Sequence, residues 1–250
     1  MKSFRKSFRK SLRYLFDKLG YQITNKKVIA PKTYFENDPM FHPLYKLAQE
    51  KTQMASQDHL LVRQRLYTLC YLLQNIAIHE GDICELGAWR GLSAYMLASQ
   101  LSSRDFQNEF CLFDSFEGLS EVDEIDRRKD IYVDYDKKRA LFECSEEIVR
   151  ENLKEFSFIR YYKGWIPIKF DEVKDRRFSF VHIDLDLYQP ILDSIRFFYP
   201  RLNSGGVMVF DDYGCATFPG AKAAVDEALK ELGNPFFLPL PSGQAFIFKQ

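Results

Sequence analysis

Between Asp82 and the carboxyl end, short apolar runs alternate with segments whose apolar residues recur every three or four positions. The runs Asp82–Leu86, Phe110–Asp114, Phe158–Tyr162, Phe178–Asp184 and Gly206–Phe210 are short and rich in β-branched or aromatic residues, which predicts strands. The periodic segments predict helices over Leu92–Leu101, from Ser145 to about Phe156, over Pro190–Tyr199, and from Pro219 to Gly233. Ser145 is placed as an N-cap, with Glu146 and Glu147 in the first turn where the helix dipole favours acids. Pro219 suits a first turn and Gly233 a stop. Two further runs, residues 235–240 and 244–249, flank Pro241-Ser242-Gly243 and predict a hairpin. Alternating strands and helices indicate an α/β fold, a doubly wound and mostly parallel seven-stranded sheet that ends in an antiparallel hairpin.

Upstream the pattern changes. Residues His59–Ile78 carry an apolar stripe, Leu66, Leu69, Cys70 and Leu73 among it, and predict one helix. Residues 21–57 hold Pro31, Pro39 and Pro43 and no sustained period, which reads as a linker or lid. In residues 1–20, Phe4, Phe8, Leu12, Leu15, Phe16 and Leu19 form a helical stripe, and seven Lys or Arg stand against Asp17 alone. The expected organisation is therefore a basic amphipathic extension plus linker over residues 1–57 and a catalytic domain over 58–250. The extension lacks the apolar stretch of ~7–15 residues a signal peptide needs and the ~20 of a membrane span. It suits either a peripheral anchor on an anionic membrane surface or a solvated helix packed on the domain or on a second subunit.

Composition narrows the class. The 250 residues are 46% hydrophobic and 28% charged with zero formal net charge, ordinary for a globular protein and without a nucleic-acid signature. The five cysteines are scattered, odd in number and form no CxxC pair, so they read as reduced thiols of a cytoplasmic protein and not as a zinc site.

Chemistry is concentrated where predicted strands end. Asp184 and Asp186 follow one strand, and Asp211 and Asp212 the next. In an open parallel sheet ligands bind beyond the carboxyl ends of the strands, so four carboxylates should face one crevice. Such a group repels itself unless a cation joins it, and a divalent metal with oxygen ligands is the simplest answer. Individually, Asp186 could instead cap the helix near Tyr188–Pro190, and Asp211–Asp212 could belong to a turn before Gly214. His182, inside its strand, reads as a core histidine.

The first strand leads into Glu85-Leu-Gly87-Ala88-Trp89-Arg90-Gly91-Leu-Ser93. Gly87 and Gly91 permit close backbone approach to a ligand, and the following helix start offers free N–H groups. Glu85 stands where a dinucleotide loop has its first glycine; a carboxylate there repels pyrophosphate and attracts a cationic amino group. Asp114, at the end of the next strand, is placed for ribose hydroxyls. An acid for an amino group followed by an acid for a ribose describes S-adenosylmethionine.

The blocks ELGAWRGLS, LFDSFEGL, SEEIVRENL, HIDLDLYQP, GGVMVFDDYG and PGAKAAVDE, in this order over about residues 81–228, resemble the macrocin O-methyltransferases, which methylate sugar hydroxyls of antibiotics. The resemblance implies a class I methyltransferase (Rossmann-like) fold and a need for Mg2+. It implies Asp184, Asp211 and Asp212 as metal ligands and Asp186 as general base. It assigns Glu85, Gly87, Ala88, Gly91, Ser93, Asp114 and Ser115, together with Asp184, to the cofactor site. The expected activity is methyl transfer from S-adenosylmethionine to a hydroxyl of a glycan or glycosylated small molecule, with peripheral membrane contact or a homo-oligomer as further partners of residues 1–20. Two competing readings stand beside it: a metal-dependent glycosyltransferase built on the DxD at Asp184 and Asp186, and a non-catalytic membrane-associated module.

Overall fold

The computed structural model describes residue 35, residues 38–76 and residues 81–250. The expected helix of residues 1–20 lies outside the described residues. The chain divides into two compact units, Met1–His42 and Pro43–Gln250. In the first, Asp38 Oδ1 accepts from the backbone N–H groups of Met40 and Phe41.

The larger unit starts earlier than residue 58, because helix α1 (Phe41–Thr52) runs through the expected linker. Pro43 stands in its first turn, where a missing N–H costs nothing, so this proline permits a helix. Tyr45, Ala48 and Thr52 bury one face of it. Helix α2 (Leu60–Gln74) follows, its N-cap made by His59, whose Nδ1 accepts from Val62 N–H at 3.4 Å.

Next come β1 (Asp82–Leu86), α3 (Leu92–Ser102), β2 (Phe110–Asp114), α4 (Tyr135–Leu141), α5 (Glu146–Asn152), β3 (Ile159–Lys163), β4 (Phe178–Ile183), α6 (Tyr188–Phe198), β5 (Leu202–Phe210), α7 (Pro219–Glu231), β6 (Phe237–Pro239) and β7 (Ala245–Phe248). The expected long helix after Ser145 ends at Asn152, and the polar excursion 117–138 contains the start of α4 and a 3-10 turn at Glu124–Asp126.

The sheet order is β3-β2-β1-β4-β5-β7-β6. Strands β1 to β5 pair in parallel, and β7 runs antiparallel to both β5 and β6. The chain steps outward from β1 to β3 and then returns to β4 beside β1. The strand order therefore reverses between β1 and β4, which opens a crevice at their carboxyl ends. Every residue of β4 is buried, as a central strand covered on both faces requires.

Alternation fixes which side chains meet. Cys84, Leu86, Cys111, Phe113, Val181, Ile183, Met208 and Phe210 form one sheet face and pack with Ile191, Ile195, Phe198, Ala221, Ala224 and Val225 of α6 and α7. Phe198 anchors this layer, edge-on to Phe113, Phe170 and Phe178 at centroid distances of 5.9, 5.0 and 5.0 Å. Truncating such a ring to alanine costs about 3–5 kcal/mol. The opposite parity puts Glu85 directly beside His182 and His182 beside Val209, so two ionisable groups lie adjacent within the sheet.

Candidate functional site

Backbone makes one half of the crevice. After β1 the chain turns at Gly87, φ +88°, with its N–H on Phe113 O. A Cβ there would lie 1.9 Å from the carbonyl oxygen of Asp184, so only glycine lets the loop rest on the end of β4. Asp114 holds this loop: Oδ2 accepts from the N–H groups of Ala88 at 2.6 Å and Trp89 at 3.1 Å, and Oδ1 from Phe116 at 2.7 Å. Burial raises the proton affinity of Asp114, and these three donors oppose the rise. Trp89, Phe116 and Asp186 all take left-handed backbone conformations without being glycine, at φ +46°, +61° and +59°. Each such residue costs on the order of 1–3 kcal/mol, and all three sit at this edge of the sheet.

Side-chain charge makes the other half. Asp184 leaves the end of β4, Asp211 and Asp212 the end of β5, and ligand oxygens of the three lie within 4.8 Å of one another. Three hard oxygen donors at that spacing fit a divalent cation such as Mg2+. Burial, then the Asp211 and Asp212 charges, push Asp184 well above the usual carboxylate range. Asp186 is raised by burial and the charges of Asp212 and Asp211, and Asp212 is raised to about 6 by burial and Asp211. Asp211 goes the other way: burial works against it, but His182 and Arg65 hold it below its ordinary value.

Those two cations are the main surprise. His182 is buried between Glu85, 3.1 Å from Nδ1, and Asp211, 3.6 Å from Nε2. Burial opposes its charge, yet the two carboxylates hold its pKa well above the ordinary value. Arg65, from α2, places Nη1 2.7 Å from Asp211 Oδ2 and 3.9 Å from Asp212 Oδ1. Gln244 completes the grip, donating from Nε2 to Asp211 Oδ1 at 2.8 Å.

Two cavities meet here. One, of about 440 Å³, is lined by Gly87, Asp114, Ser115, Gly118 and Trp165 among others. The second, of about 480 Å³, is lined by Arg65, His182, Asp211, Asp212 and an apolar wall that includes Leu66 and Phe218. Trp89, Phe142, Asp184 and Asp186 line both, with Trp89 edge-on to Phe142 at 5.2 Å. The shared wall is where a group could pass from one ligand to another.

A macrocin O-methyltransferase (TylF) family model matches residues 36–234, more than half of the chain. The chain belongs to that family. Similar proteins include demethyldecarbamoylnovobiocin O-methyltransferase of Streptomyces niveus, 28% identical over 59% of this chain and 57% of the relative. Mycinamicin III 3''-O-methyltransferase of Micromonospora griseorubida is 25% identical over 59% of each. The chain thus spans under two thirds of the length of these relatives. The solved O-methyltransferase NovP superposes with TM-score 0.62 at 23% identity, over 75% of this chain and 80% of that one. The calicheamicin methyltransferase CalS11 gives 0.61 at 19%, over 81% and 91%. At those identities the likeness is one of fold, the class I methyltransferase fold. Membership in the TylF family favours the methyltransferase reading over the glycosyltransferase one.

Within this family frame the cofactor-loop residues separate. Gly87, Asp114, Ser115 and Asp184 line the first cavity. Ala88 and Ser93 line the second, while Gly91 N-caps α3 and faces Leu153. Glu85 lies fully buried on the sheet, held by Ser93 Oγ and His182, and its Oε2 has no hydrogen-bond partner. Glu85 is in the lining of neither cavity, so the structure does not bring this expected cofactor residue to the crevice surface. Arg90 Nε donates to Thr52 O and Nη2 to Gln53 Oε1, tying the loop to the end of α1.

Asp186 is not the cap of α6. Asp126 fills that role from the excursion, its Oδ1 accepting from Tyr188 N–H at 2.8 Å. A Cβ at Gly220 would strike the same oxygen at 1.8 Å, so glycine there leaves room for the cap. Asp186 instead has its N–H on Asp212 Oδ2 at 3.1 Å, and its side chain lines both cavities. Sequence reasoning missed Arg65, Gln244 and Asp126. For Arg65 a signal existed: it stands midway between Leu61 and Leu69 on the apolar face of α2.

Proposed function

We propose that the protein transfers the methyl group of S-adenosylmethionine to a hydroxyl of a sugar carried by a small molecule. The observation that carries this reading is the wall shared by the two cavities, where Asp184 and Asp186 meet Trp89 and Phe142. The first cavity takes the cofactor, with Asp114 toward the ribose. The second takes the acceptor, whose apolar wall suits an aglycone and whose polar end suits a sugar.

Asp184, Asp211 and Asp212 would hold Mg2+. When bound, S-adenosylmethionine supplies an activated methyl group and Mg2+ lowers the proton affinity of the acceptor hydroxyl. The chain then has two tasks. The shared wall must hold the reacting atoms at near-attack distance and keep water out. Asp186, which lines both cavities, takes the hydroxyl proton as general base. The relatives named above are O-methyltransferases of demethyldecarbamoylnovobiocin and of mycinamicin III by their names, which supports a small-molecule acceptor.

Titration calorimetry with S-adenosylmethionine and S-adenosylhomocysteine, with and without Mg2+, tests the reading. Micromolar binding of both is expected, followed by Mg2+-dependent methylation of a glycosylated acceptor. Absence of binding at millimolar cofactor overturns it. For residues 1–20 the sequence pattern supports peripheral contact with an anionic membrane surface or a homo-oligomer. Co-sedimentation of the full chain with phosphatidylglycerol vesicles, against a chain lacking residues 1–20, separates these. Among the described residues no helix is long and apolar enough to cross a membrane.

A further inference from the structure

Both oxygens of Asp211 already accept a hydrogen bond. Arg65 Nη1 donates to Oδ2 at 2.7 Å and Gln244 Nε2 to Oδ1 at 2.8 Å. The guanidinium is itself anchored, Nε donating to Ser242 O at 3.1 Å, while Gln244 Nε2 also donates to the backbone carbonyl of Arg65 at 3.3 Å. Its contact with Asp212 Oδ1, at 3.9 Å, brings the same charge against a second member of the triad. The side chain is only 20% exposed, so water screens the interaction weakly. A charge-assisted bond in such surroundings is among the stronger contacts a carboxylate makes.

We propose that Arg65 is the resident counter-ion of the acid triad and competes with the divalent cation for Asp211. An incoming ion must share Asp211 with the guanidinium, or draw it away, and settle near a fixed positive charge. Arg65 therefore weakens ion binding while keeping the ion-free triad from repelling itself apart. Two opposite effects follow from one residue: lower affinity for the metal and higher stability of the metal-free protein. This inference rests on the metal reading given above.

The test is Mg2+ titration calorimetry, with thermal unfolding in parallel, on the full-length wild type, Arg65→Met and Arg65→Lys. Removing the charge is expected to tighten Mg2+ binding at least ~10-fold, the scale of one unit charge at ion-pair distance inside a protein. Arg65→Met should also melt lower than wild type without metal and gain more on Mg2+ addition. Arg65→Lys, which keeps the charge, should bind Mg2+ within about threefold of wild type. If Arg65→Met is not folded, Arg65→Gln removes the charge while retaining a donor for Asp211 and Ser242. Unchanged or weaker Mg2+ binding by the folded neutral variant overturns the proposal, because Arg65 would then merely orient Asp211. If neither wild type nor neutral variant binds millimolar Mg2+ while both bind S-adenosylhomocysteine, the metal reading itself falls, and the proposal with it.

Discussion

The two halves of the crevice are built from different materials. Beyond β1 and β2 the cavity wall is backbone: the Gly87 turn, three N–H groups on Asp114, and Trp89 and Phe116 in left-handed conformations. Beyond β4 and β5 it is charge: four carboxylates whose proton affinities are spread apart by burial and by one another, with Arg65 and His182 among them. A backbone wall does not tolerate an added methyl group, because it depends on close approach. A charged wall behaves in the opposite way, since its shape survives an isosteric change that removes its function.

The largest effect should come from the charged half. Asp184→Asn or Asp211→Asn is expected to lower the methyl-transfer rate at least ~100-fold, the usual scale for removing a key electrostatic group, with cofactor affinity nearly kept. Steady-state kinetics beside calorimetry checks this; an equal loss of cofactor binding would show that the two halves are one unit. The mirror experiment is Gly87→Ala. Its Cβ would overlap Asp184 O, so a stability loss of at least ~2 kcal/mol is expected in urea unfolding, together with loss of cofactor binding. A stable, cofactor-binding Gly87→Ala protein would mean that the backbone half is plastic.

Smaller effects sharpen the boundary. Asp126→Ala removes the cap of α6 and should cost about 1–2 kcal/mol, while Asp126→Asn, which keeps an acceptor, should cost less. If the asparagine variant loses as much as the alanine one, the charge of Asp126 matters and not its hydrogen bond. The smallest expected effect is on pH. Asp212 holds its proton up to about 6 in the folded state against an ordinary 3.8, so the folded protein binds more protons than the unfolded one in that window. Stability present at lower pH is then lost as pH rises through about 6. His182, raised above its ordinary 6.5, adds to the loss in the same direction, and Asp211, lowered, contributes only near and below 3.8. The metal-free protein should therefore melt a few degrees lower at about pH 8 than at about pH 5.5, and Mg2+ should shrink the difference. A melting temperature that rises over this range would contradict the charge pattern of the triad.

The strands and their order of appearance were legible because each core strand is short and mostly apolar, as a sheet covered on both faces requires. The hairpin was legible from Pro241-Ser242-Gly243. Helix α1 was not, because prolines in a first turn look the same in sequence as prolines in a linker. Of the site, the acids at the ends of β4 and β5 could be located from pattern alone, since a parallel sheet sends its strand ends to one side. Their partners could not. Arg65, 146 positions before Asp211, and Gln244, 33 after it, arrive from α2 and from the hairpin.

The sequence by itself determined the α/β class, the crevice edge and the residue types that gather there, because periodicity and strand ends are local properties. Only the tertiary structure decided the charge state and the division of labour. It put His182 beside Glu85 through strand register, gave the cap of α6 to Asp126 and so left Asp186 to the cavities, and set Arg65 against Asp211. Proton affinities depend on what lies within a few ångströms, and the chain brings those neighbours together from positions that no local pattern connects.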